Sequence, residues 1–104
     1  MADRLLTLRE IGQQIRDLRE SLGYTNAAEF AAYVGWSPQQ LSNYEKGHKR
    51  PEITMANKLC VRTRVTLDYI YRDDHTGLPL HVANAIQDYR SRQKPSPAEE
   101  AAKA

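Results

Sequence analysis

Between Ser37 and Glu45 the chain reads Ser-Pro-Gln-Gln-Leu-Ser-Asn-Tyr-Glu, and Gln39, Gln40, Ser42 and Asn43 crowd hydrogen-bonding groups into its centre. A side-chain amide carries a donor and an acceptor in one plane. That pair matches the N6 and N7 edge of adenine in the major groove, while a serine hydroxyl serves several bases. Ser37 can cap a helix, Pro38 suits the first helical position because its missing N–H has no intrahelical partner there, and Gln40 completes a capping box. Trp36 and Leu41 flank the cap as a hydrophobic staple. With Leu41 and Tyr44 on the inner side, the amides and Ser42 are displayed outward. Amides on a helix surface are more often only solvated, so these nine residues leave both readings open.

Other reactive side chains point elsewhere. Cys60 is the single cysteine, and it falls on the apolar side of a helical pattern, which favours burial over nucleophilic or redox work. His48, His75 and His81 are scattered and poor in neighbouring ligands, so no metal is expected. Asp73 and Asp74 are adjacent and point apart, as at a helix end, rather than forming an acid and base pair. No glycine-rich phosphate loop or nucleophile motif occurs, and neither a cofactor nor catalysis is expected.

The elements that must position the amides follow from capping and period. Thr7 with Glu10 opens a first helix running to about Leu22, whose stripe is Leu8, Ile11, Ile15, Leu18 and Leu22, before Gly23 ends it. Asn26 caps a shorter second helix with Phe30, Ala31 and Val34 inward, and Gly35 closes it. Gly35, Trp36 and Ser37 then form a turn of three residues, so that the second helix and the amide helix read as a helix-turn-helix unit. A break at Gly47 leads to Pro51 and a fourth helix from about Glu52 to Thr63, with Ile53, Ala56, Leu59 and Cys60 on one face. Thr66 caps a short fifth helix with Leu67 and Ile70 inward. A sixth helix is expected over about Leu80 to Gln93, its stripe formed by Val82, Ile86 and Tyr89. Packing back onto its own domain is favoured over a subunit interface. Residues 94–104 read as a disordered tail.

Charge is placed unevenly. Residues 42–64 hold Lys46, Lys49, Arg50, Lys58, Arg62 and Arg64 against only Glu45 and Glu52, whereas the flanking thirds are slightly acidic. A basic segment beside an amide-rich helix is the footprint expected where phosphates are held. At 104 residues with 40% hydrophobic content the chain forms one small domain, and no apolar run reaches membrane-span length. Met1 to Arg9 lacks the features of a secretory signal, and a lone cysteine fits a reducing compartment, so a cytoplasmic protein is expected.

Taken with Leu41-Ser42, Tyr44-Glu45, Lys49-Arg50-Pro51 and Val65-Thr66-Leu67-Asp68, the sequence from Glu10 to Tyr71 resembles the lambda-repressor-like, or Cro/CI/Xre, helix-turn-helix regulators. The resemblance implies an all-α fold: a compact five-helix DNA-binding domain over residues 1–71, here with a connector and C-terminal helical extension over residues 72–93. It also implies double-stranded DNA as partner, bound by a homodimer on a two-fold operator. Position by position, Gln39, Gln40 and Asn43 would read bases with Pro38 and Ser42 at the groove wall. Asn26, Ala27, Lys46, His48, Lys49 and Arg50 would meet phosphates, and Arg19 with Glu45 would form a structural ion pair. Two positions depart from the family pattern. Ala27 stands where Gln is frequent, and Arg64 stands where Gly commonly ends the fourth helix, so Arg64 must turn left-handed or the helix must end differently. The leading expectation is a transcriptional repressor. An antitoxin meeting a protein partner through the C-terminal helix, and an adaptor using Tyr24, Tyr33, Tyr69 and Tyr71, are the alternatives.

Overall fold

The computed structural model describes residues 4–93, and the segment expected to be a tail lies outside them. Six helices follow one another: α1 Leu8–Ser21, α2 Ala27–Val34, α3 Pro38–Glu45, α4 Ile53–Thr63, α5 Leu67–Arg72 and α6 Leu80–Gln93. Their starts are set by local side chains. The Thr7 hydroxyl accepts from Glu10 N–H at 3.2 Å and the Glu10 carboxylate accepts from Thr7 N–H at 2.9 Å. Asn26 accepts from two N–H groups of α2, and Thr66 from Tyr69 N–H at 3.0 Å. Each cap satisfies donors that the helix itself cannot.

Ile11, Ile15 and Leu18 of α1 are the centre of the core, packed with Phe30, Leu41, Leu59, Tyr69 and Ile70. Trp36 sits edge-on to Tyr44 with ring centroids 5.0 Å apart and donates its indole N–H to Met55 O at 3.1 Å, which ties the α2–α3 turn to α4. The Tyr71 hydroxyl donates to Pro51 O at 2.7 Å and fixes the entry of α4. Among the described residues no helix is long and apolar enough to cross a membrane.

Three assignments of the sequence stripe shift. Ile53 is 63% exposed, and Leu67 and Leu8 are exposed as well. All three stand at the first position of their helices, where the residue precedes the first packed turn and escapes the period that governs the rest. Helix α4 ends with Arg64 at φ 71°, left-handed, so the arginine accepts the strained conformation that glycine would adopt freely. Asp73 ends α5 the same way at φ 57°, and Asp74 accepts from Thr76 N–H, which makes the Asp-Asp pair a helix-end feature.

The sixth helix folds back onto α1 and buries Val82 and Ile86. Its lock is Arg90, which donates to Asp17 at 3.0 Å, to Asp73 at 3.1 Å and to Gln14 Oε1 at 2.6 Å. Gln14 in turn donates to Tyr69 O at 2.8 Å, and the Tyr69 hydroxyl donates back to Gln14 O at 3.1 Å. Tyr89 closes the far end by donating to Glu20, which pushes the Tyr89 hydroxyl up to about 12. Partial burial raises the Asp73 carboxyl, yet hydrogen bonds from His75, Gln14 and Arg90 outweigh it and hold the group below its ordinary 3.8.

Arg90→Ala should therefore strip three partners at once and cost about 2 kcal/mol, since bonds to charged groups are the stronger kind. Hydrogen exchange is expected to show α6 amides losing protection while α3 keeps its own. Equal loss in both helices would mean that Arg90 supports the whole fold instead. A carboxylate held below its ordinary value stabilises the fold above that value and stops doing so as pH falls through the lowered one. The same α6 amides should thus lose protection as pH drops below 3.8.

Candidate nucleic-acid interface

Helix α3 begins with a reciprocal cap: Gln40 N–H donates to the Ser37 hydroxyl at 3.1 Å, and Ser37 N–H donates to Gln40 Oε1 at 2.8 Å. The Gln40 carbonyl oxygen is therefore engaged in holding the helix start, and its free hydrogen-bonding capacity is chiefly the two N–H donors. Gln39 is differently placed. Its Nε2 donates one hydrogen to Asn43 Oδ1 at 3.1 Å, which leaves the second N–H and the Oε1 acceptor free on an exposed side chain. Asn43 buttresses that amide and retains its own NH2 donors. Pro38 is exposed, Ser42 and Asn43 are partly so, and Leu41 and Tyr44 are buried as the inner side.

What fixes α3 is its crossing with α1. Gly12 lies where the helices meet, and a Cβ there would stand 2.5 Å from Tyr44 O and 2.6 Å from Glu45 O. No side chain fits that gap. One turn pair further along α1, Arg19 Nε donates to Glu45 Oε2 at 2.8 Å and its Nη2 to Oε1 at 3.2 Å, with Nη1 donating to Tyr24 O at 2.8 Å. The two side chains are 7% and 6% exposed, behind the displayed amides. The hydrogen bond to Glu45 holds the Arg19 guanidinium still more firmly protonated than usual.

The C-terminus of α3 is a Schellman turn: Gly47 N–H donates to Tyr44 O and His48 N–H to Asn43 O, with Gly47 at φ 76°. Gly47 also presses on the start of α1, since its missing Cβ would be 3.1 Å from the Arg9 Cα. The turn leaves Lys46, His48, Lys49 and Arg50 exposed in a row. Two further cations of the basic segment contact the protein itself. Lys58 donates to Gly35 O, and the Arg62 guanidinium lies over the Tyr33 ring, 5.7 Å from its centroid.

Two exposed arginines from α1 join the basic border instead: Arg9 beside Gly47, and Arg16, whose Nε is 3.6 Å from Glu45 Oε1. A cleft of about 210 Å³ brings Arg16, Lys46, Pro38 and Ser42 next to Ala27 at the start of α2. The Asn26 side chain takes the N–H groups of Ala28 and Glu29, while Ala27, first in the helix, keeps an N–H with no partner inside it. Arg9 and Arg16 were hidden in the sequence because they sit in a segment with net negative charge; only the close crossing at Gly12 and Gly47 carries them to α3.

Cys60 is half-buried and burial pushes its thiol up, away from the reactive thiolate. His75 bonds Asp73 at 2.8 Å, and among the described residues no three His, Cys, Asp or Glu gather as metal ligands. Of the four tyrosines expected on an adaptor surface, Tyr69 is fully buried, and Tyr24 is stacked on Tyr33.

A family model described as helix-turn-helix matches residues 15–70, more than half of the chain and all of α2 to the core of α5. No curated protein and no solved structure matches it. The match spans the turn between α2 and α3 and both residues of the Arg19–Glu45 pair, and on that ground the chain belongs to the Cro/CI/Xre-type helix-turn-helix family, whose members are DNA-binding regulators.

Proposed function

We propose that the protein is a sequence-specific transcriptional repressor that lays α3 in the major groove of duplex DNA. The observation that carries this reading is the free donor and acceptor of the Gln39 amide, buttressed by Asn43 and flanked by the exposed row Lys46, His48, Lys49 and Arg50. An amide held in one orientation matches the adenine edge better than a free one, because less side-chain freedom is lost on contact. Gln40 contributes N–H donors toward base or phosphate acceptors, with Pro38 and Ser42 at the groove wall. Ala27 at the start of α2, capped by Asn26, shares a cleft with Arg16 and Lys46, and there a phosphate would be met. The action is non-covalent: basic side chains supply salt-dependent affinity, α3 supplies preference, and occupancy of a promoter excludes polymerase. Two copies on a two-fold site would place two such helices one helical turn apart. The DNA-bearing cytoplasm is where such a protein works.

Selection from a random duplex pool tests this directly. Gln39→Ala should relax preference at one base pair, worth about 1 to 3 kcal/mol, and leave binding to random DNA nearly unchanged. Lys49→Ala should weaken binding to every sequence alike and lower the salt slope by about 1. If neither selection nor competition yields a preferred sequence for the wild type, the repressor reading fails.

A further inference from the structure

The reading of DNA by α3 leaves three cations of α4 without a task. Lys58 and Arg62 stand four residues apart and share a face of the helix, and Arg64 ends it. All three are exposed, α4 itself holds no acid, and among the described residues none of the three is in an ion pair. Glu29, the one acid of the neighbouring α2, pairs with none of them either. These charges adjoin apolar and aromatic surface. The Tyr33 ring is 40% exposed, with the Arg62 guanidinium 5.7 Å from its centroid and the Tyr24 ring stacked on it at 5.6 Å. Its hydroxyl donates to Arg62 O at 2.9 Å, which anchors the ring to α4. Val61, three residues after Lys58 and so on the same side, is 67% exposed.

From this we infer that the joint face of α2 and α4 docks an acidic segment of another protein, one that carries carboxylates beside an aliphatic or aromatic side chain. Cations without a carboxylate partner set the sign of what docks. A guanidinium takes a carboxylate in two parallel bonds, and Arg62 is already placed over Tyr33, so little freedom is lost on contact. Lys58 spends one N–H on Gly35 O at 3.4 Å and keeps two. Arg64 holds its position at φ 71°, a conformation that strains every side chain, and strain of this kind gathers at sites of function. Tyr and Arg are also the residue types that dominate binding between proteins. Phosphates would engage the cations alone and give Val61 and Tyr33 nothing to bury against, whereas a protein segment covers both. The inference stands apart from base reading, since none of these residues belongs to α3 or to the row that follows it.

Selection of random peptides displayed on phage, against the full chain without DNA and at physiological salt, tests the face. Recovered peptides should combine Asp or Glu with Leu, Phe, Tyr or Trp. Binding of a synthetic copy should weaken more than about tenfold in Arg62→Glu, which reverses the charge beside Tyr33, and should weaken in Val61→Asp. Both side chains are exposed, so both variants should melt with the wild type. Lys49→Glu should bind the peptide as the wild type does. Recovery of no peptide overturns the inference, as does a peptide indifferent to both α4 variants. A peptide lost with Lys49→Glu instead overturns it by placing the acids on the row after α3. On random duplex DNA, Arg62→Ala should keep the wild-type salt slope; a slope lowered by about 1 would assign Arg62 to a phosphate and overturn the inference as well. Failure of the peptide arm leaves base reading by α3 intact, and absence of a selected duplex leaves this face intact.

Discussion

Gly12→Ala should unfold the domain at a temperature roughly 10 to 20 °C lower than the wild type, a loss of about 2 to 3 kcal/mol. The sign is what makes the expectation sharp. In an exposed helix interior the same change stabilises by about 1 kcal/mol, because alanine loses less backbone freedom and has the higher propensity. At Gly12 the added carbon would meet two backbone oxygens of α3, at 2.5 and 2.6 Å, and no rotamer can relieve contact with a main chain. Either α1 and α3 move apart or the end of α3 unwinds, so binding to a selected operator should weaken along with stability. A thermal melt of the variant at or above the wild type would show that the crossing yields more easily than its geometry implies.

Arg19→Ala is the second large loss expected, about 3 kcal/mol. Removing one member of a buried, bidentate pair leaves the other charge without compensation, for which about 3 to 5 kcal/mol is usual. The low end applies because Arg16, half exposed and 3.6 Å from the same carboxylate, can turn toward Glu45. Where a domain's whole stability is about 5 to 15 kcal/mol, such a loss brings the variant near the edge of folding. The double variant Arg19→Met with Glu45→Met should be more stable than Arg19→Ala by ~1 kcal/mol or more, since the unpaired charge is gone and the volume is filled. Denaturant titration of the set decides. Additive losses would mean that the two side chains stabilise the fold separately.

Features made within three or four residues were legible in the sequence. The reciprocal caps Thr7 with Glu10 and Ser37 with Gln40, and the caps at Asn26 and Thr66, involve side chains that the backbone places together as soon as a helix starts. The stripe Ile11, Ile15 and Leu18 was legible for the same reason, and the order of six helices followed from such caps and stripes along the chain. Contacts between distant segments were not. Gln14 and Asp17 lie off the α1 stripe, yet both are buried, and Arg90 of α6 donates to each. The part played by Gly12 is set by its neighbours on α3, which lie more than 30 positions away in the chain. The pairing of Arg19 with Glu45 came from the family resemblance, since nothing in a separation of 26 positions would single it out. The Gln40 amide illustrates a different limit: its type fits both a cap and a base, and only the observed 2.8 Å bond shows that its oxygen is already occupied.

The docking of α6 on α1 also bears on how this protein can be cut and recombined. Leu6, Ile11, Val82 and Ile86 are core side chains that fall outside the matched residues 15–70. A fragment trimmed to the matched segment would lose the residues that seal both flanks of α1 and expose Ile15, Leu18 and Tyr69 to water. Chimeras that exchange only the reading unit should therefore keep Leu6 before α1 and the whole of α6 with it, and treat the C-terminal helix as part of the cassette.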